Sequence, residues 1–339
     1  MDRGGPVILA ADGGATASRV LVASLDGTVR WQGRGPAASA TRNGPHDAGR
    51  VLADQWLSAL RSLGLDGGPV RAAACGLAGA RPGSIQQKVR ESLRRVLSGA
   101  DVQDEVPIEV THDASIALRG AFPLSGGCVV ISGTGSVAAA RRPGGTPALA
   151  GGWGWPLGDE GSGTWLGWRA AQEAAAELEQ GSEGVYTGIL RQGWGLDEGE
   201  EGGLHALLRS AVEACGDASR WSSLAPLVMQ SMRSSPEQTR PLLCEMGIRL
   251  GLLASVALAR AGWPEEQEAP VALTGGVGSR LRDLLEAPFR DGAGSYGEVL
   301  GWTSERLTHL GGAALLALEA AGETPDEEVL DRLGREVAG

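Results

Sequence analysis

Short apolar runs alternate along the chain with longer segments in which apolar residues recur every three or four positions. The short runs predict buried strands, and the periodic segments predict amphipathic helices. The predicted strands are residues 7–11, 19–23, 28–32, 70–75, 108–110, 128–131, 137–140 and 271–273. The predicted helices are residues 51–63, 84–97, 114–121, 165–179, 204–214, 240–261, 279–285 and 326–337. This alternation predicts an α/β protein, with residues 33–49 as a loop and 182–203 as a surface insertion.

Two of the apolar runs end in glycine turns that lead directly into another predicted strand. The first run reaches Asp12, Gly13 and Gly14, and a later run reaches the sequence SGTGS at residues 132–136. A Rossmann fingerprint requires glycines that open a helix, so a turn between two strands argues against dinucleotide binding. The repetition predicts two domains that each open with a glycine-tipped hairpin, the alternative being two unrelated hairpins.

Composition and charge narrow the class of protein. The 339 residues are 42% hydrophobic and 21% charged, which is typical of a globular chain long enough for about two domains. A net charge of −11 argues against a nucleic-acid or anionic-membrane partner. The four cysteines, at positions 75, 128, 215 and 244, have no close pair, which indicates reduced thiols. With no signal peptide and no apolar stretch of about 18 residues identified, we expect a cytoplasmic protein.

Residues 151–167 have the most unusual composition, with seven glycines, three tryptophans and the acidic pair Asp159 and Glu160. Glycines at this density suit a loop that approaches a ligand closely. A flat tryptophan wall beside carboxylate acceptors is a reasonable way to hold a sugar. The alternative is a structural loop that buries its tryptophans and caps the next helix through Ser162 or Thr164.

Three glycine turns, at residues 12–16, 132–136 and 274–278, follow predicted strands. Their backbone N–H groups could bind anionic oxygens, and hydroxyl donors are available from Thr16, Ser132, Thr134 and Ser136. Asp12 could hold Mg²⁺ through waters. Asp113, between a predicted strand and a predicted helix, is either a general base or a helix N-cap.

In this order the motifs resemble the N-acetylglucosamine kinase family, within the BadF/BadG/BcrA/BcrD-type ATPases and the actin-like sugar kinase superfamily. The motifs are ADGGATAS at 11–18, THDASIAL at 111–118, ISGTGS at 131–136, GGWGWPLGDEGSG at 151–163 and LTGGVGS at 273–279. The fourth is the most specific. The resemblance implies a two-domain actin-like ATPase fold with ribonuclease H-like domains. These would be residues 1–118 joined by the C-terminal helix 325–337, and residues 119–322 with helical insertions.

The resemblance also implies roles for individual residues. The first phosphate loop would be Asp12, Gly13, Gly14 and Thr16, with Asp12 serving Mg²⁺, and the second would be Gly133, Thr134 and Gly135. The loop under the adenosine of ATP would be Gly275, Gly276 and Gly278. Asp113 would be the catalytic base, and the sugar would contact Asp113, Thr134, Asp159, Glu160 and Trp153.

The chain departs from the family pattern near the first turn. Ala15 replaces a frequent third glycine, and Ala17 replaces a frequent lysine. An asparagine that often touches the sugar is missing from residues 35–39, unless Asn43 takes its place. These changes bear on the identity of the sugar more than on phosphoryl transfer.

The activity implied by the resemblance is ATP-dependent phosphorylation of an amino sugar, with N-acetylglucosamine and its 6-hydroxyl expected. Glucosamine, N-acetylmuramic acid and other hexoses stay open as substrates, and a homodimer stays open as the assembly. One alternative is an activator ATPase of a reductase or dehydratase, which needs cysteines for an iron–sulfur cluster. Another is a catalytically silent nucleotide-binding regulator, which the alanines at 15 and 17 would suit.

Overall fold

A computed structural model describes residues 5–337 except 66–67, 82, 101, 103–104, 196–202 and 214–215. The chain divides into two compact units, Met1–Ser125 with Ser304–Gly339, and Gly126–Thr303. The strands are β1 (Val7–Gly13), β2 (Ser18–Ser24), β3 (Val29–Gly35), β4 (Val70–Leu77), β5 (Ile108–His112), β6 (Gly127–Ser132), β7 (Ser136–Arg141), β8 (Ala148–Gly151), β9 (Ala269–Thr274) and β10 (Leu300–Trp302). The helices are α1 (Pro45–Ser62), α2 (Ser84–Ser98), α3 (Asp113–Ala121), α4 (Gly163–Glu179), α5 (Val185–Trp194), α6 (Gly203–Glu213), α7 (Ala218–Ser222), α8 (Ala225–Ser234), α9 (Pro236–Arg260), α10 (Gly278–Gly292), α11 (His309–Ala320) and α12 (Glu327–Glu336).

Each unit contains one five-stranded mixed sheet, and the two sheets have the same topology. The strand orders are β3-β2-β1-β4-β5 in the first unit and β10-β9-β6-β7-β8 in the second. In each, three consecutive strands pair antiparallel and two further strands add in parallel. The predicted repeat of a glycine-tipped hairpin is therefore confirmed, as β1–β2 and β6–β7. This is the ribonuclease H-like topology.

Strand β1 is apolar from Val7 to Ala11 because helices cover both faces of its sheet. Val7, Leu9 and Ala11 face a core built with residues of α1 and α2. Ile8 and Ala10, on the opposite face, pack into a core with residues of α11 and α12. Burial on both faces explains why this strand appears in the sequence as a continuous run rather than as an alternating pattern.

Several elements differ from the prediction. Strands β8 and β10 have only four and three residues and were not predicted, since such short segments show little periodicity. Residues 182–203 are not only a surface insertion, because α5 forms within them and buries Tyr186, Ile189 and Leu190. Helix α1 begins at Pro45, inside the segment predicted as a loop, and α7 and α8 were also missed.

The boundaries of the two units also differ from those expected. Residues 119–125 and 304–322 were assigned to the second domain, whereas the structure groups them with the first unit. The reason is close packing of α11 on α3, β1 and β4. A Cβ atom at Gly312 would lie only 1.9 Å from the carbonyl oxygen of Ile116, so the absent side chain lets the two helices approach.

Helix α9 corrects one further expectation. It is the one helix in the described parts of the chain that is long and apolar enough to cross a membrane, although no such stretch was expected. Its buried residues, which include Leu242, Met246, Leu250 and Leu258, belong to the core of the second unit. A single apolar helix packed into a core in this way is weak support for a membrane span.

Candidate active site

The first glycine turn, between β1 and β2, is closed by its own backbone and supported from two neighbouring segments. The N–H of Gly14 donates to the Ala17 carbonyl at 3.0 Å. The N–H groups of Ala38 and Ala78 donate to the carbonyls of Gly14 and Gly13, at 3.1 and 2.9 Å. A Cβ atom at Gly13 would lie 2.4 Å from the Ala38 carbonyl oxygen, so this position requires glycine. Thr16, at the tip, is exposed.

Asp12 lies at the end of β1, opposite Arg19 of β2 and Gly76 of β4. Burial raises the pKa of its carboxyl group and the charge of Asp113 raises it further, while His309 and Arg19 act in the opposite direction. A half-buried carboxylate whose charged form is disfavoured by desolvation and by a neighbouring acid gains from a nearby cation, so Asp12 fits a role in holding Mg²⁺. The described residues contain no group of three metal-ligating side chains, so phosphate oxygens and waters would have to complete the coordination of Mg²⁺.

Asp113 is the first residue of α3, directly after β5, and its side chain is 23% exposed. The Ala114 N–H donates to Asp113 Oδ1 at 2.8 Å, and His112 Nδ1 lies 2.6 Å from the same oxygen. Burial by itself would raise the pKa of Asp113, but the His112 hydrogen bond, the charges of His112 and His309, and the Ala114 N–H together hold it below its usual value. The carboxylate is therefore kept ionised. The N-cap position of α3 is occupied by His112, not by Asp113 as one alternative supposed.

The second glycine turn, between β6 and β7 in the other unit, is held by the first residues of α4. The Gly163 N–H donates to the Gly133 carbonyl at 2.7 Å, and the Thr164 hydroxyl donates to the Thr134 carbonyl at 2.7 Å. The turn is closed by the Gly133 N–H, which donates to the Gly135 carbonyl at 2.9 Å. The backbone of the turn is therefore fixed in advance of any ligand, and the Thr134 side chain is exposed.

Two hydroxyl groups of this turn do not have the role expected of them. Ser132 and Ser136 are buried, and their hydroxyls donate to the carbonyls of Gly161 and Glu160, each at 2.7 Å. The prediction that they donate to anionic oxygens is wrong for this reason. They instead connect the glycine turn to the acidic segment.

The third glycine turn, between β9 and α10, lies against the second. The Val277 N–H donates to the Ser132 carbonyl at 3.0 Å. Gly275 has a φ of 89°, and a Cβ atom there would lie 2.5 Å from the Ser132 carbonyl oxygen. A Cβ atom at Gly276, in contrast, would meet no described atom within 4 Å, so its backbone is open to a ligand.

Asp159 is the only non-glycine residue with a positive φ, 69°, in the described residues. Such a conformation costs about 1–3 kcal/mol and is typical of functional sites. Its Oδ1 accepts a hydrogen bond from the Ser136 N–H at 3.2 Å. Both carboxylate oxygens would lie 2.9 Å from a Cβ atom at Gly135. The carboxylate therefore rests on the second glycine turn, next to the half-buried Glu160.

The tryptophans of residues 151–167 differ in burial, so some fit a structural loop and another fits a ligand-binding surface. Trp165 is buried, and Ser162 Oγ caps α4 by accepting the Trp165 N–H at 3.2 Å, which is structural. Trp155 is half-buried and packs on Trp168, with ring centroids 5.4 Å apart. Trp153 is 67% exposed and is thus accessible to a ligand.

Some residues of the first unit were not identified from the sequence. His112 and His309 both lower the pKa of Asp113. The chain has only four histidines, and this small number is the feature of the sequence that could have drawn attention to them. Arg42 Nη1 donates to the Ala15 carbonyl at 3.0 Å, which brings a guanidinium to the first turn. Asn43 Oδ1 accepts the Ser39 N–H at 2.9 Å, so this amide oxygen is bound to its own loop.

Two ribonuclease H-like sheets, with glycine turns and acidic residues at the strand ends, define the fold class of the actin-like ATPases. The chain belongs to the BadF/BadG/BcrA/BcrD ATPase family, whose model matches residues 11–294.

Among curated relatives, an N-acetylmuramic acid/N-acetylglucosamine kinase of Clostridium acetobutylicum is 29% identical over 176 residues. That match covers 52% of this chain and 56%, little more than half, of the relative. An N-acetyl-D-glucosamine kinase of Dictyostelium discoideum is 26% identical over 223 residues, covering 64% of this chain and 67% of the relative. The crystal structure of a provisionally assigned N-acetylglucosamine kinase of Chromobacterium violaceum is similar, with a TM-score of 0.69 and 28% identity, over 92% of this chain and 98% of that one.

Proposed function

We propose that this protein is a cytoplasmic ATP-dependent kinase of an amino sugar, with N-acetylglucosamine phosphorylated at its 6-hydroxyl. The observation that carries the proposal is the carboxylate of Asp113, kept ionised at the start of α3 with two hydrogen bonds on Oδ1. This leaves Oδ2 to accept a proton from a hydroxyl group. The names of the curated relatives support a sugar and ATP as the substrates.

In the proposed reaction the sugar oxygen forms a bond to the γ-phosphorus as the bond from that phosphorus to the bridging oxygen of ADP breaks. The hydroxyl proton goes to Asp113 Oδ2. Phosphoryl transfer requires mainly positioning and charge stabilisation. Backbone N–H groups of the turns containing Gly13, Gly133 and Gly276 would bind phosphates and the nucleotide. Mg²⁺, held near Asp12, would offset the charge of the phosphates.

For the sugar, we propose contacts to Asp159, Glu160, Thr134 and Trp153. The carboxylate of Asp159 rests on the second glycine turn through Ser136, so a single residue would contact both the sugar and the phosphate loop. The exposed ring of Trp153 would offer a flat apolar surface to a sugar ring.

A substrate screen tests the proposed activity directly. Release of ADP would be coupled to a colour reaction and measured with N-acetylglucosamine, glucosamine, N-acetylmuramic acid and glucose, each with Mg²⁺ and ATP. We expect ADP release that depends on an amino sugar, and a sugar 6-phosphate as the product by mass spectrometry. ADP release at one rate with and without every sugar would contradict the kinase, and no release at all would favour the silent regulator.

The activator ATPase is not favoured. An iron–sulfur cluster is bound by cysteine thiolates. Cys75 and Cys128 are fully buried in β4 and β6, and burial raises the pKa of each thiol to about 12. Cys244 is half-buried on α9, and Cys215 lies outside the described residues.

Replacing Asp159 tests the sugar site. We expect Asp159→Ala to weaken sugar binding about 10- to 100-fold, since hydrogen bonds to a charged group contribute roughly 1.5–3 kcal/mol. Binding of MgATP alone should change little. Titration of tryptophan fluorescence with sugar measures the affinity, because Trp153 lies six residues before Asp159 and is exposed.

Asp159→Asn is the matched control for stability. Asparagine tolerates a positive φ and keeps an oxygen to accept the Ser136 N–H, but it lacks the charge. We expect it to keep the wild-type melting temperature and still bind sugar more weakly. If both variants only lower the melting temperature and bind sugar as the wild type does, Asp159 is structural.

A further inference from the structure

His112 is a buried histidine directly before the proposed base, and the proposed function does not yet use it. Its side chain lies at the end of β5 and the residue is only 4% exposed. Its Nδ1 lies 2.6 Å from Asp113 Oδ1 and 3.2 Å from the Ala114 backbone nitrogen. These two contacts require opposite protonation states of Nδ1, since a carboxylate needs a donor there and an N–H group needs an acceptor.

The distances decide between the two contacts. An unprotonated ring nitrogen and a carboxylate oxygen would both be acceptors and would repel one another at 2.6 Å. A protonated Nδ1 instead makes a short charge-assisted hydrogen bond to the carboxylate. The Ala114 N–H does not need His112, because it also donates to Asp113 Oδ1 at the shorter distance of 2.8 Å. Nδ1 therefore carries a proton and donates it to Asp113.

We propose that His112 is a positioning residue for phosphoryl transfer, which orients the Asp113 carboxylate through the Nδ1–H···Oδ1 hydrogen bond. The terminal torsion of an aspartate is broad and two-fold, so a carboxylate without such a donor can rotate. With His112 and Ala114 both donating to Oδ1, the rotation is fixed and Oδ2 is presented to the substrate hydroxyl. The inference rests on the proposed function, in which Asp113 is the base.

The test compares three replacements of His112. Asparagine places an N–H donor on its Cγ, where histidine has Nδ1, and it is also a good N-cap. Aspartate is an equally good N-cap of the same shape but cannot donate. Leucine fills the buried space with neither function. The Asn and Asp variants therefore separate donation to Asp113 from capping of α3.

We expect His112→Asn to keep kcat within about threefold of the wild type. His112→Asp and His112→Leu should lower kcat about 10- to 100-fold, the effect of losing a hydrogen bond to a charged group. The KM for sugar should stay within about threefold in the neutral variants. In the Asp113→Asn background, His112→Leu should lower kcat no further, because the two residues act through one carboxylate.

Two results would overturn the inference. One is a folded His112→Asp or His112→Leu variant with the kcat of the wild type, which would make His112 a structural residue. The other is read without any activity, by ¹⁵N NMR of the four histidine side chains at alkaline pH, with His112→Asn for assignment. We expect a proton on His112 Nδ1, and an unprotonated Nδ1 would exclude donation to Asp113. Absence of sugar-dependent turnover in the wild type would instead contradict the proposed function, and the NMR result would still decide the proton on His112.

Discussion

Replacing Asp113 with asparagine is expected to lower turnover by about 10²–10⁴-fold, the usual contribution of a general base. The substitution is conservative for the structure. Asparagine keeps an oxygen that can accept from His112 Nδ1 and from the Ala114 N–H. Only the second oxygen is replaced, by an amide nitrogen that cannot take the hydroxyl proton. Sugar affinity, measured by fluorescence titration, should fall much less than turnover.

The direction of the change in stability caused by Asp113→Asn, and its dependence on pH, follow from the pKa of Asp113. The pKa of Asp113 is held below its usual value in the folded protein, so ionised Asp113 stabilises the fold. This contribution is fully present above the pKa of the unfolded state and is lost as the pH falls through the lower folded pKa. At neutral pH, Asp113→Asn should therefore melt slightly below the wild type, and the difference should disappear in strong acid.

The matched control is Asp47→Asn, the same chemical change at an exposed position in the first turn of α1. It should leave both turnover and melting temperature within error of the wild type. Near-normal turnover in Asp113→Asn would show that the carboxylate serves the N-terminus of α3 and not the reaction.

Replacing Asp12 with alanine should abolish catalysis and weaken the binding of MgATP, with sugar binding largely intact. The physical reason is that Asp12 would help to hold Mg²⁺, which would offset the charge of the phosphates. Calorimetric titrations of sugar and of MgATP, carried out separately, measure the two effects. Equal loss of both affinities would indicate misfolding rather than loss of a metal site.

Replacing Asp12 should change the stability of the fold in the opposite direction from replacing Asp113. Burial and the charge of Asp113 raise the pKa of Asp12, so its ionised form destabilises the fold at neutral pH. The folded state binds the extra proton between the unfolded and the raised folded pKa, and stability falls as the pH rises through that range. Asp12→Asn should thus melt at or above the wild-type temperature without ligand, while losing the rise that MgATP produces in the wild type. A lower melting temperature without ligand would make Asp12 a structural residue.

The two hairpin turns show which features of the structure could be predicted from the sequence and which could not. The apolar runs of β1 and β6 and the glycines after them predicted both hairpins and thereby the repeated fold. The side chains of the second turn were not predictable in the same way. Ser132 and Ser136 look like ligand donors in the sequence, but partners about 25–30 residues later turn both hydroxyls inward.

The boundaries of the two units were also not predictable from the sequence, because they depend on contacts between distant residues. Helix α11 follows strands of the second unit in the chain, and the expected bounds of the second domain, residues 119–322, included it. It packs on α3 and β1 because Gly312 allows contact with Ile116, nearly 200 residues earlier. This helix was not among those predicted, and the local sequence contains no information about which sheet a helix covers.

The sequence by itself determined what depends on neighbouring residues: the apolar strands, the glycine turns, the α/β class and the positions of Asp12, Asp113 and Asp159. These follow from backbone conformation and from the period of burial, which are local. Only the tertiary structure decided what depends on distant partners. It placed two hydrogen bonds on Oδ1 of Asp113, raised the pKa of Asp12 and set the Asp159 carboxylate on the second turn. Hydrogen bonds and desolvation act over a few ångströms of space, and the fold alone determines which residues come within that distance.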